Sequence, residues 1–506
     1  SWGYSHLHFS GYHLVPGIVE GERDSATGKF IREFAMNDSI VMDTIVPENE
    51  MRSYKTGIPR QDIQHYKAVL NSNFIVGNGY LKTTFGFQQN RRQEFGDILA
   101  PDQYGLYFLL NTVNYDVRYL FPERNRLSMS TGVNGMQQSS QNKGEEFIVP
   151  QYSLFDIGGF FTMKKSYEKL DVSGGIRFDN RTINSDELLL DTLGAPTNEE
   201  NPFHEHKFKE FRSSFSSVSG SIGFAYQFSE HVFTKANVSR GFRAPNIAEL
   251  GANGEHEGTG RYEIGNHFLK PENSLQVDYA LGINTHHVSA EADLFYNNIS
   301  NFIYSAKLNS VFGGDSVVDP SEPISTFKFT QGNAVLMGGE ILVDIHPHPL
   351  DWLHFENSFA YVRAVQKNAT DSTKYLPLTP GPKFSSDLRA DIKKISKRMN
   401  NSYVKIGADN YFAQNKFYSA FGTETRTPGY TLINLGLGTE FVRKDKVLFS
   451  VYISINNLTN VAYQNHLSRL KYGAVNYVTG RRGVYNMGRN MSFKVVVPFG
   501  LKKAKE

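Results

Sequence analysis

The stretch LQVDYALGIN, residues 275–284, decides the fold. Leu275, Val277, Tyr279, Leu281 and Ile283 alternate with Gln276, Asp278, Ala280, Gly282 and Asn284. Successive side chains of a strand face opposite ways, so this segment carries one apolar face and one polar or small face. The same period of two runs through Val447, Phe449, Val451, Ile453 and Ile455, and again through Met491, Phe493, Val495, Val497 and Phe499. Helical stripes are almost absent.

Working outward from Trp2 to Phe499, the pattern yields roughly eighteen strands. Their connections take turns in length. Gly77–Gly79, Thr285–His287 and Arg443–Lys446 are short, whereas Leu14–Gln64, Gly241–Asn273 and Asn457–Met487 are long. A soluble sandwich has no reason to gather every long loop at one end, and a propeller would repeat every ~40–50 residues, which this chain does not. Alternating loop lengths are what an antiparallel up-and-down barrel needs, with tight turns inside the cell envelope and long loops outside. In lipid the backbone also demands it, since a sheet must close to satisfy its N–H and C=O groups. The fold class expected is therefore all-β, a transmembrane antiparallel β-barrel over residues 1–499, followed by a short basic tail, 500–506.

Composition narrows the function. The chain has 506 residues, 13% aromatic residues, a net charge of +2 and no cysteine. A near-neutral balance leaves no footprint for nucleic acid, and without cysteine there is no disulfide frame, thiolate or iron–sulfur site. No apolar run reaches the roughly 20 residues of a membrane helix. There is no phosphate-binding G-x-x-x-x-G-K-[ST], no H-E-x-x-H and no G-x-S-x-G, so the reading is not an enzyme.

Just before the opening stretch lies RGFRAPNIAELGANGEHEGTGRYEIGNHFLKPE, residues 240–272. It falls in a long external loop. Its glycines, among them Gly251, Gly254, Gly258, Gly260 and Gly265, are expected to permit positive φ, and Pro245 to end a strand. Ser239–Pro245, Glu249-Leu250, Tyr262–Asn266 and Leu269–Glu272, with Ser454–Asn460, Tyr463 and Met487–Asn490, resemble the TonB-dependent outer-membrane receptors. Trp2–Ser5 and Gly17–Arg23 are similar to the Bacteroidetes type. The resemblance implies a bacterial outer-membrane location, a barrel of about 22 strands of which these are the last eighteen, and an N-terminal plug. The first residues, Ser-Trp-Gly-Tyr, read as a processed or partial sequence without plug, TonB box or leader.

The resemblance also implies function and partners. A scarce nutrient is taken up across the outer membrane, powered through the plug by TonB–ExbB–ExbD, in contact with lipid and with room for a surface lipoprotein partner. The alternatives are a passive pore of about eighteen strands and a non-transporting structural or receptor barrel. No cofactor is required; zinc, haem or another metal chelate would be cargo, and siderophore or cobalamin uptake stays open.

The loop assignment sorts the histidines. His286, His287, His346 and His348 fall in short turns and are expected to be structural. His204 and His206 share a long loop, and His-x-His in an extended segment puts both rings on one side, where they and His256 could bind metal. Phe242, Arg243, Glu257, His267 and His466 are the other loop candidates for substrate. HEGTGRYEIGN, residues 256–266, resembles zinc-uptake receptors. Phe242–Pro245 with His256 resembles the haem receptors, from which Asn266–Leu269 departs by lacking a proline.

Overall fold

The computed structural model describes residues 3–7, 31–37, 40–47, 60–97, 100–256, 261–308, 325–444, 446–473, 475–476 and 480–498, with isolated positions between 24 and 49. The Phe499 end and the basic tail lie outside the described residues.

One antiparallel sheet dominates. Its strands are β1 (Gly3–Leu7), β2 (Arg60–Val76), β3 (Gly79–Phe95), β4 (Leu106–Leu120), β5 (Leu127–Asn142), β6 (Tyr152–Ser166), β7 (Leu170–Ser185), β8 (Phe211–Gln227) and β9 (Val232–Arg243). They continue as β10 (Glu272–Asn284), β11 (Val288–Lys307), β12 (Ser325–Ile345), β13 (Leu353–Gln366), β14 (Lys383–Ser396), β15 (Met399–Tyr411), β16 (Tyr430–Arg443), β17 (Lys446–Asn456) and β18 (Asn490–Val496). Each strand pairs with the next in the sequence, from Gly3↔His65 between β1 and β2 to Ile453↔Phe493 between β17 and β18. Turns and long connections alternate throughout, as the sequence pattern requires. Among the described residues one segment breaks the simple order. The hairpin Asn253–His256/Arg261–Ile264 leaves the β9–β10 loop and pairs in parallel with the first residues of β12, Arg261↔Ser325 to Ile264↔Lys328.

The side-chain distribution is inverted relative to a soluble protein. Leu275, Val277, Tyr279, Leu281 and Ile283 of β10 are 51, 46, 46, 46 and 38% exposed. Such a stripe is costly in water and favourable against hydrocarbon. The opposite face is polar and internally bonded. Gln276 donates to Asp278 Oδ1 at 2.6 Å, and Arg181 forks onto Asp156 at 2.7 and 2.6 Å. Near the short turns, Tyr167, Phe228 and Trp352 are exposed, and Tyr119–Phe121 and Tyr226–Phe228 form edge-on pairs. Aromatic rings favour the headgroup boundary, so they form a belt there.

A small apolar core sits at the other end, under the external loops. Leu154, Ile183, Phe215, Ala244, Leu250, Leu269 and Ile303 are buried together. They come from several strands and from the β9–β10 loop, so this core holds the loop onto the barrel.

Candidate substrate site

The FRAP segment is a lock. Phe242 packs against the buried cluster under the loops. Arg243 forks onto Glu272, Nε to Oε2 at 2.9 Å and Nη2 to Oε1 at 2.8 Å, while its Nη1 donates to Glu249 Oε2 at 2.8 Å. β9 ends there. Pro245 is fully buried, and Asn246 then caps the short helix Ile247–Gly251. Its Oδ1 accepts from the Glu249 amide at 2.9 Å, and Glu249 accepts from the Asn246 amide at 2.8 Å, a closed capping box. Glu272 in turn accepts from the Ile303 amide at 2.7 Å, tying β10 to β11. One guanidinium therefore joins the end of a strand, the start of the loop helix and the return strand. Bidentate charged bonds of this kind fix geometry as well as energy.

The glycines of this loop do a different job from the one expected. Gly251, Gly254 and Gly265 are not among the positive-φ residues, while Gly258 and Gly260 lie outside the described residues. Space is what they supply. A Cβ on Gly265 would lie 2.5 Å from the Gly251 amide nitrogen. That closeness lets Gly265 donate to Ala252 O at 2.7 Å and Asn266 to Glu249 O at 2.8 Å.

The predicted histidines are spread out. His204 and His206 are neighbours, their ring centroids 6.0 Å apart, on and beside a small three-stranded loop sheet. His204 Nδ1 lies 2.5 Å from Asn201 O, and His206 Nδ1 lies 2.9 Å from Glu187 Oε1. Both partners favour a proton on Nδ1, which leaves the Nε2 lone pair of each ring for a ligand. His256 ends a loop strand, and Glu257 lies outside the described residues. His267 is exposed, its ring 5.5 Å from Phe211. His466 is buried in a different loop pair, where Nδ1 and Thr427 Oγ1 are 2.7 Å apart and Nε2 is 3.8 Å from Glu424.

That loop pair, 412–429 with 457–489, is built around buried polar groups. Glu424 accepts from the Leu378 amide at 2.6 Å and the Tyr418 amide at 3.0 Å. Lys471 donates to Thr427 Oγ1 at 2.6 Å, and burial pushes its amine below the usual lysine range against the pull of Glu424. Burial, reinforced by Tyr304, pushes the phenol of Tyr418 up to about 12.

Beneath these loops a cavity of about 370 Å³ opens on the lumen wall. Its lining includes Glu340, Lys383, Tyr411, Tyr430, Asn465 and His466. The strand registers explain the convergence. Glu340↔Ala360, Ala360↔Lys383, Lys383↔Tyr411 and Tyr411↔Tyr430 form one row across five strands. Tyr411 and Tyr430 stack at 4.6 Å, Tyr463 adds a third ring at 4.4 Å, and the Lys383 amine sits 5.1 Å over Tyr411. A cavity of this size, with stacked rings and a few fixed polar groups, suits an organic ligand. Of these residues sequence reasoning found His466 as a site candidate and Tyr463 only as part of the family resemblance, and missed the rest. Their signal, an aromatic or lysine at a strand's outer end, becomes legible only once the register is known, because a slip of one residue turns each to the lipid.

Comparison with known proteins agrees with this architecture. Residues 44–458 match the model of the "TonB dependent receptor-like, beta-barrel" family. Among solved structures, the chain is similar to the copper transporter OprC at 16% identity and TM-score 0.65, covering 86% of this chain and 66% of that one. The FrpB iron transporter from Neisseria meningitidis matches at 12% identity and TM-score 0.59, over 86% and 63%. The ferric yersiniabactin uptake receptor FyuA from Yersinia pestis matches at 14% identity and TM-score 0.57, over 87% and 62%. The chain thus spans less than two-thirds of these proteins' lengths. At such identities the likeness is one of fold, and the family match over most of the chain carries the assignment: this chain belongs to the TonB-dependent receptor β-barrel family of the bacterial outer membrane.

Proposed function

We propose that the chain is the barrel of a transporter that captures a scarce metal in an organic chelate and passes it across the outer membrane. The observation that carries this is the aromatic, lysine-bearing cavity on the lumen wall, about 370 Å³ in volume. A bare cation calls for converging carboxylates and imidazoles at about 2 Å; stacked tyrosines with a lysine fit the flat or anionic part of a chelate, haem included. No bond of the cargo is made or broken. The external loops admit it, the lumen residues hold it, and energy from the TonB–ExbB–ExbD system, acting through a plug, opens the path. A surface lipoprotein at the outer face belongs to the same proposal. Capture and release then need only differential affinity between two states of the receptor.

A second reading rests on His204 and His206. Their fixed tautomers favour direct capture of zinc at the outer loops, with His256 of the hairpin as a further candidate ligand. Uptake separates the two. A deletion strain is grown with single iron, copper, zinc and haem sources, then complemented with Lys383→Ala/Tyr430→Ala or with His204→Ala/His206→Ala. Loss with the first variant on a chelate supports the chelate reading, and loss with the second on zinc supports the other. Normal growth of the deletion strain on every source would overturn a transport role.

A further inference from the structure

We propose a second, independent metal site at the opposite mouth of the barrel, built from Asp344, His346 and His354, for a borderline divalent cation such as zinc. The short turns β10–β11 and β12–β13 were expected to hold histidines for structural reasons. They bring them together instead. His286, His287, His346, His348 and His354 surround one open cavity with Asp351. The His287 and His348 rings are 5.5 Å apart, and those of His346 and His354 only 4.6 Å.

Within this group the ligand atoms of Asp344, His346 and His354 all lie within 4.8 Å of one another. His346 Nε2 is 2.6 Å from Asp344 Oδ2, and His354 Nδ1 is 3.8 Å from the same oxygen. Asp344 Oδ1 is buried with no hydrogen-bond partner. A buried carboxylate oxygen left unpaired is costly, and a cation between the three groups would satisfy it. The outer ring of contacts is also right. His354 Nε2 faces Asp391 Oδ2 at 3.5 Å, and Arg389 in turn holds Asp391. A carboxylate behind a ligating imidazole sets its tautomer and raises its basicity.

The geometry has a simple origin. Asp344 is in β12 and His346 directly follows its last residue, with its amide still bonded to His287 O at 2.7 Å, so the spacing of two keeps both on one face. His354 lies across the β12–β13 turn, and Ile345↔Phe355 sets the register that places it beside them. That face is the lumen side, since Glu340 of the cavity row shares it. Two imidazoles and one carboxylate with an open fourth position match zinc sites that keep a water or a passing ligand. His287 and His348 line the same cavity. The site does not depend on what the outer loops capture.

The test uses the full chain in detergent micelles, titrated with zinc ion by calorimetry, with folding of each variant checked by its electrophoretic heat-modifiability. The wild type is expected to bind at this site, and His346→Ala/His354→Ala to weaken that binding by more than about 100-fold, as loss of ligands exceeds loss of an outer-shell partner. Asp391→Asn, which would touch no metal, is expected to weaken it by about 10–100-fold. His231→Ala, in the β8–β9 turn at the same mouth, is expected to leave it unchanged. Equal affinity in the folded His346→Ala/His354→Ala variant and the wild type would overturn the site, as would an equal loss in the His231→Ala variant. The transport proposal stands or falls separately, on growth.

Discussion

The two mouths of the barrel use the same residue types for opposite ends. At the outer mouth, residues that look functional are occupied in holding the loops. Arg243 is held by Glu249 and Glu272, Phe242 packs against the core, and His466 is buried against Thr427. At the inner mouth, histidines that look like turn filler converge on one another with an oxygen of Asp344 unpaired. The lesson is about where chain length goes. Long loops must find their own hydrogen bonds and core, so their polar residues are drawn into structure. Tight turns need few side chains for themselves, so theirs remain available.

This contrast can be broken in several ways, beginning with the apolar core of the outer mouth. Leu250 of the loop helix is 0% exposed, and Leu250→Ala should cost about 2–5 kcal/mol of local stability. Hydrogen exchange should then rise across 244–271 and stay unchanged at the β10–β11 and β12–β13 turns. Equal acceleration at both mouths would mean that the ends are not independent.

Next comes the wall between them. Val277→Arg, on the lipid face, should destabilise the barrel in a bilayer by about 2–4 kcal/mol at midplane depth. Gln276→Arg, one residue away on the lumen face, should change little. Urea titration of vesicle-inserted protein compares the pair, and similar losses would contradict the assignment of faces.

The Arg243 lock should be weaker, because the guanidinium is 42% exposed. Arg243→Ala removes hydrogen bonds to two nearly buried carboxylates and should cost about 1–3 kcal/mol, with Arg243→Lys intermediate because a point charge cannot fork. Limited proteolysis of the β9–β10 loop reads the order. If the alanine variant resists cleavage as the wild type does, the segment is not the lock of the outer mouth.

The smallest effect is a pH dependence confined to the outer loops. Tyr418 has a folded-state value of about 12 against 10.0 for a free phenol. Its contribution is therefore fully present below pH 10 and is lost as pH rises through about 12. Protection of 412–429 against exchange should fall over that window, and Tyr418→Phe should flatten the fall. A wild-type loop as protected near pH 12 as below pH 10 would contradict it.

The strands were legible because their signal is local. Alternation in Leu275–Ile283 needs nothing but the pleat, and tight turns such as those at Gly77, Thr285 and Lys444 punctuate the chain. The FRAP turn was legible as a loop-folding device for the same reason, since Pro245 and Asn246 act on their own neighbours. The role of the loop glycines was not, because Gly265 is required by the close approach of Gly251 at the end of the loop helix. Nor was the parallel pairing of Arg261–Ile264 on β12, which joins segments far apart in the chain.

By itself, the sequence determined that this is a lipid-facing, up-and-down β-barrel with all its long loops at one mouth. Periodicity and loop length are properties of neighbouring residues, and neighbours are what a sequence records. The tertiary structure alone decided which side chains meet. Lys383, Tyr411 and Tyr430 share a wall, and Asp344, His346 and His354 share a mouth, because hydrogen-bond register carries residues tens of positions apart to the same height on the same face. Register is a property of the closed ladder of strands, and no single strand contains it.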